Sequence, residues 1–243
     1  MTLQELMDHF FRLYGRRNRI FLSGLRDRID FLNLAIGDLQ EAIRKEASPA
    51  NKEIALARVV ARIFCIAENF LEFPLVETMS QKYPEGKCSY CQQMPCQCQE
   101  RRPQAKLASN PPDRQFYWSL KDWCNHLDTV YGAKNKERGV EITLNRLFKE
   151  VGEILSLQMM IAKGEQSLDE IEKEFALELA DCLAWTIAIS NFLGLNLGKA
   201  VSNRFGSGCW KCGRIPCNCT RFDMMPVKWS EDTEKTAWNE KKD

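Results

Sequence analysis

The run "FALELADCLAWTIAI", residues 175–189, is too long for a strand and too uniformly apolar for a surface helix. It reads as a helix buried on nearly every side. Within it Glu178 and Asp181 stand three positions apart and so share one face. Neither has a Lys or Arg three or four positions away to pair with along the helix. Two carboxylates in such a helix must be compensated from elsewhere in the fold.

The chain has 243 residues, 44% of them hydrophobic, enough for one large domain or two smaller ones with real cores. With 34 basic and 33 acidic residues the net charge is +1, so no global attraction to nucleic acid or an anionic membrane is expected. The N-terminal "MTLQELMDHFFRLYG" mixes acids into an amphipathic pattern and lacks the apolar core of a signal peptide. The apolar segment 175–195 could pass for a membrane span by length, but Glu178 and Asp181 would be penalised heavily in lipid. It is read as a bundle helix, and the expected setting is cytoplasmic with no membrane contact.

Eleven cysteines raise the question of disulfides, which their spacing answers. Cys88, Cys91, Cys96 and Cys98 follow C-x2-C-x4-C-x-C, and Cys209, Cys212, Cys217 and Cys219 repeat that spacing. Two four-thiol sets of this kind suit two structural, tetrahedral Zn²⁺ sites closed to substrate. Cys65, Cys124 and Cys182 fall in helical patterns and read as packed thiols.

The matching cysteines end a longer internal repeat. "NFLEFPLVETMSQKYPEGKCSYCQQMPCQC" at 69–98 aligns with "NFLGLNLGKAVSNRFGSGCWKCGRIPCNC" at 191–219 with one single-residue gap. Upstream, "HFFRLYGRRN" at 9–18 aligns with "HLDTVYGAKN" at 126–135, which pairs His9 with His126, Tyr14 with Tyr131 and Asn18 with Asn135. Apolar spacing in each copy is helical, near 2–14, 20–46, 50–72 and 74–82, then 116–131, 138–163, 167–193 and 196–204. Gly164 is expected as a C-cap, and Ser167 with Glu170 as a capping box. The expected architecture is all-α: a tandemly duplicated, pseudo-symmetric helical bundle in which a small four-cysteine zinc knob follows each copy. Copy one with its knob spans 1–98, a proline-bearing linker 99–114, copy two with its knob 115–220, and a charged tail 221–243.

Copy two holds a second acidic pair, Glu150 and Glu153 in "LFKEVGEIL", beside apolar Leu147, Val151 and Ile154. Two antiparallel helices can bring all four acids together. Unit charges about 4 Å apart repel by roughly 4 kcal/mol at an effective dielectric near 20, so four such carboxylates bind cations or take up protons. An all-oxygen set selects Mg²⁺ or Mn²⁺ over zinc. A di-iron bundle would use Glu-x-x-His pairs, which are absent here.

Glu150-x-x-Glu153 followed by Glu178-x-x-Asp181, with "EVGEI", "ELADCLAW" and "NFLGLNL" around them, resembles the MazG-like family of all-α nucleoside triphosphate pyrophosphohydrolases over about residues 119–204. The resemblance implies that these four acids hold Mg²⁺ and that the enzyme cleaves between the α and β phosphates, releasing a nucleoside monophosphate and pyrophosphate. The zinc knobs and the fused duplication are additions to that pattern. Copy one departs from it: the four acids become Ala35, Asp38, Leu56 and Val59. The expectation is one catalytic and one degenerate copy, the latter standing in for the partner that family members obtain by dimerising; further homo-oligomerisation is left open.

Lys134, Lys136 and Arg138 are candidates for substrate phosphate, against the plainer reading of a solvated charge run. Trp185 could stack on a base or simply belong to the core, and Asn191 could bond substrate or the fold. His126, Tyr131 and Asn135 recur in copy one beside no acids, which points to structural roles. Two rival functions stand beside the hydrolase: a zinc-knuckle nucleic-acid adaptor using Tyr90, Trp210, Lys211 and Arg214, and a nucleotide-binding regulatory pseudoenzyme.

Overall fold

In the computed structural model, residues 1–71, 74–98 and 105–220 are described, apart from the side chain of Asn69. The charged tail 221–243 and the first part of the linker, 99–104, lie outside the described residues. Among the described residues there are eight α-helices, one short 3-10 helix and no strand. They are α1 (Leu3–Phe21), α2 (Leu25–Arg44), α3 (Pro49–Phe70), α4 (Leu75–Lys82), the 3-10 turn Asp113–Tyr117, α5 (Leu120–Arg138), α6 (Val140–Ala162), α7 (Leu168–Phe192) and α8 (Leu197–Phe205).

Local chemistry sets most of these ends. Thr2 with Glu5, Ser119 with Asp122 and Ser167 with Glu170 form capping boxes, each hydroxyl accepting from an otherwise orphaned backbone N–H. Lys163 closes α6, and Gly164 follows at φ +71° as the left-handed residue that its carbonyls require. Gly139, at φ +83°, lets α5 turn into α6 without any intervening loop.

Two helices run past their expected ends. The Tyr-Gly pairs suggest stops at 14 and 131, yet α1 continues to Phe21 and α5 to Arg138. One glycine inside a helix costs about 1 kcal/mol. Beyond Gly15, Arg17 donates to Asn18 Oδ1 at 2.9 Å and lies over the Tyr14 ring, contacts that favour continuing α1. At the other end, α5 begins at Leu120 rather than 116, because Trp118 is extended and Ser119 takes the cap. The latter part of the expected linker is docked rather than free. Lys106 N–H donates to Ser89 O and Ala108 N–H to Gln81 O, each at 2.9 Å, and the 3-10 turn starts at Asp113.

Helices α2 and α3 form one hairpin, α6 and α7 another, and the hairpins pack on each other through α2 against α6 and α3 against α7. One continuous core draws buried residues from all eight helices. Its axis is α7, long and apolar enough to cross a membrane but mostly buried within the bundle. Leu179, Leu183 and Ile187 are wholly buried, and each such side chain contributes about 1.5–3 kcal/mol.

The last helix of each half crosses over: α4 packs on α7, and α8 packs on α3. The knobs follow them. Cys96 N–H donates to Val130 O in α5 at 2.8 Å, and Cys217 N–H donates to Leu13 O in α1 at 2.8 Å.

Candidate metal centres

The α6–α7 seam places Glu150, Glu153 and Glu178 so that one carboxylate oxygen of each lies within 4.8 Å of the others. Glu150 is buried, while Glu153 and Glu178 are half-buried. Lys149, on the outer side, reaches Glu153 at 2.5 Å and Glu150 at 3.5 Å. Trp185 donates its Nε1–H to Glu150 Oε1 at 3.2 Å, so this ring orients a carboxylate.

The electrostatics of the trio are set by crowding in a partly dry seam. Burial, a hydrogen bond with Glu153 and the charge of Asp181 push Glu150 up to about 8, against a smaller pull from Lys149. Burial drives Glu178 up to about 7 despite Lys82, with Asp181 and Glu153 adding to the rise. For Glu153 burial acts upward too, but hydrogen bonds with Glu150 and Lys149 outweigh it and hold the carboxyl below its usual range. Three carboxylate oxygen ligands, two of which give up protons to become charged, could suit a hard divalent cation such as Mg²⁺ or Mn²⁺.

Asp181 stands apart from this trio, and the sequence does not reveal why. Lys82, from α4 in the other half, places Nζ 2.8 Å from Asp181 Oδ2 and also donates to Leu177 O at 3.0 Å. Tyr83 donates its hydroxyl to Asp181 Oδ1, and burial together with that carboxylate raises the phenol well above its ordinary range. The lysine side chain is only 9% exposed, so this is an interior ion pair. The compensation that α7 lacks along its own length comes from a helix about a hundred residues away in sequence. The only cue in the chain is the cation at the matching place of each copy, Lys82 and Arg204.

Where the register of the repeat would put the four acids in the N-terminal half, Ala35, Leu56 and Val59 are buried in the apolar core, and Asp38 pairs with Arg58 at 2.7 Å. Nothing there resembles a metal site.

The other candidate residues are not gathered at the acids. Glu150 lies ten residues into α6, about 15 Å of helix from the turn at Gly139 beside which Arg138 ends α5. Lys136 instead lines a cavity of about 10 Å³ with Asn135, Asn191 and Phe192, room for a single water. Asn191 donates to Cys124 O at 2.9 Å, a bond that ties α7 to α5. Lys134 is half-buried on the same helix, and Arg138, also half-buried, is at its end. His126 packs against Trp118 and Trp123 and burial lowers its pKa, in keeping with a structural role.

The cysteine sets converge as their spacing implies. Cys88 and Cys98 sulfurs lie 3.7 Å apart, Cys209 and Cys219 3.8 Å, and Cys212 and Cys217 3.9 Å. Tetrahedral Zn–S bonds of about 2.3 Å require sulfurs about 3.8 Å apart, whereas a disulfide requires about 2.05 Å. All eleven cysteines are free thiols, so the two sets could each hold zinc. Knob two is further braced by Arg17, whose Nη1 points at Cys217 Sγ at 3.9 Å.

The raised carboxyls carry a consequence for pH. Without divalent metal, the extra stability of protonated Glu150 and Glu178 is complete below their ordinary 4.5 and is lost as pH climbs through about 7 and about 8. Thermal melts in chelator should fall by roughly 5 °C between pH 5.5 and 8.5. A flat profile would show that the three carboxylates are not crowded in solution.

No family model, curated protein or solved structure matches the chain.

Proposed function

We propose that the protein is a Mg²⁺-dependent nucleotide pyrophosphohydrolase that cleaves a nucleoside triphosphate to its monophosphate and pyrophosphate. The observation that carries this reading is the convergence of Glu150, Glu153 and Glu178 in the α6–α7 seam, two of them with raised pKa values. The resemblance to MazG-like enzymes implies four such acids; three converge here, and the fourth, Asp181, is paired with Lys82. These carboxylates would hold Mg²⁺, which when bound would supply charge neutralisation at the phosphates and a more acidic water. Glu150 and Glu153 from α6 and Glu178 from α7 would hold the cation across the seam. Trp185 holds Glu150 in orientation, and Lys149 reduces the charge that Glu153 and Glu150 present before the cation arrives. Lys82 keeps Asp181 fixed at the edge of the site.

The two halves are the products of a tandem duplication, on this reading, and the N-terminal one is a fused, metal-free partner. The crossed docking of α4 and α8 and the matching knob contacts at Leu13 and Val130 support it. Zinc in the two knobs is structural.

A regulatory nucleotide-binding role is the second reading, favoured by the ion pair with which Lys82 occupies Asp181. Product analysis separates them. Incubation with a panel of nucleoside triphosphates and Mg²⁺, followed by chromatography, should yield monophosphate and pyrophosphate and none in excess chelator. Binding without products supports the regulatory role; diphosphate with orthophosphate overturns the hydrolase assignment.

A further inference from the structure

Knob one reaches the carboxylate site through Ser89. The bond from Cys96 to α5 and the Tyr83–Tyr131 contact recur at knob two as Cys217 to Leu13 O and Phe205 against Tyr14, but among the described residues the Ser89 bonds have no counterpart there. Ser89, between the ligands Cys88 and Cys91, donates its hydroxyl to Lys82 O. Its own N–H donates to Tyr131 OH at 3.3 Å, and Cys96 N–H donates to Val130 O at 2.8 Å, so the knob is fixed to α5 on its far side. Tyr83 packs edge-on against Tyr131, ring centroids 6.1 Å apart. The residues held by these contacts are Lys82 and Tyr83, the two that grip Asp181.

In knob two the position of Ser89 is Trp210, which has no hydroxyl. The residue in the place of Lys82 is Arg204, and its guanidinium lies over the Trp210 ring, 4.2 Å from the centroid. Arg204 belongs to the C-terminal half, whose α8 docks on α3 of the half that has no acid cluster, and there its guanidinium is turned to Trp210.

We propose that Ser89 is a positioning residue for the carboxylate site and that the metal of knob one acts through it: with the four thiols closed on their ion, Ser89 fixes the end of α4, and Lys82 and Tyr83 stay on Asp181. Knob two makes no such connection. Lys82 is thereby an internal cation beside the site and competes with the divalent ion for the charge of Asp181 and Glu178, whose carboxyl it already pulls upon. The competition rests on the metal-site reading given above; the connection from knob to α4 does not.

The test uses the full chain in four forms: Ser89→Ala, Ser89→Thr, Cys91→Ser and Cys212→Ser. Zinc content confirms which knob is intact. Amide hydrogen exchange is followed in residues 75–83 and 197–205, and Mn²⁺ affinity by titration with electron paramagnetic resonance. Ser89→Ala should keep both zinc ions, speed exchange at the end of α4 by about tenfold and leave α8 unchanged. It should also tighten Mn²⁺ binding about threefold or more, as Lys82 loosens. Ser89→Thr should restore both values. Cys91→Ser should act like Ser89→Ala, and Cys212→Ser should move neither α4 nor Mn²⁺ affinity. Unchanged α4 exchange in Ser89→Ala, or equal effects of the two cysteine substitutions, overturns the proposal. Should Ser89→Ala fail to fold, the cysteine pair decides alone. If the wild type binds no Mn²⁺ while α4 exchange responds as described, the positioning role stands and the metal-site reading fails.

Discussion

On the proposed function, Glu153→Ala is expected to lower pyrophosphate release by about 10³-fold or more, because it deletes one of three convergent carboxylates that would hold a cation against phosphate. Glu153 is the informative member, since its carboxyl is held below the usual range and is the one ready to bind metal without first losing a proton. Asp38→Ala is the matched control. It removes the only acid left at the corresponding place in the N-terminal half, so turnover should be unchanged. Stability should fall by about 2 kcal/mol, because Arg58 is left largely buried without its partner 2.7 Å away. Steady-state kinetics and urea melts on the two variants measure this. Turnover surviving in Glu153→Ala, or lost in Asp38→Ala with the fold intact, would remove the asymmetry on which the function rests.

Asp181→Asn and the double substitution Glu150→Gln with Glu178→Gln should shift stability in opposite directions. Asp181 is an ion-pair partner inside the protein, and converting it to the amide leaves Lys82 buried with its charge unmatched, a loss of about 3 kcal/mol. Glu150 and Glu178 are crowded acids that take up protons to relieve one another, so their amides should raise the melting temperature of the metal-free protein at pH 8 and flatten its pH dependence. Mg²⁺ should stabilise the wild type and leave the double variant unmoved, because a ligand stabilises only the state it binds. Melts with and without Mg²⁺ at pH 6 and 8 distinguish the two. Should the double variant melt below the metal-free wild type at pH 8, these acids are structural hydrogen-bonding groups.

The seam of acids is legible in the sequence because it is built along two helices, where a period of 3.6 residues makes Glu150 and Glu153, or Glu178 and Asp181, neighbours on a face. The knobs are legible because sulfur spacing in a tight loop dictates what the loop can enclose. What escapes is everything that joins distant segments. The periodicity of "ELADCLAW" shows that Asp181 faces inward, but not that Lys82 will meet it there. Equally, "YGAKNKER" shows three cations at the end of a helix without showing that Gly139 turns the chain about 15 Å from the acids. The continuation of α1 and α5 past 14 and 131 likewise depends on residues brought together by the fold.

The crossing of α4 and α8 also governs how the chain can be made. Helix α3 emerges from the ribosome early but lacks its cover until α8, which begins at Leu197, has been synthesised. At about 5–20 residues per second that delay is roughly 6–25 seconds. During it, the face of α3 on which α8 packs waits for its cover, and the N-terminal half gains its full set of contacts only when the second half arrives.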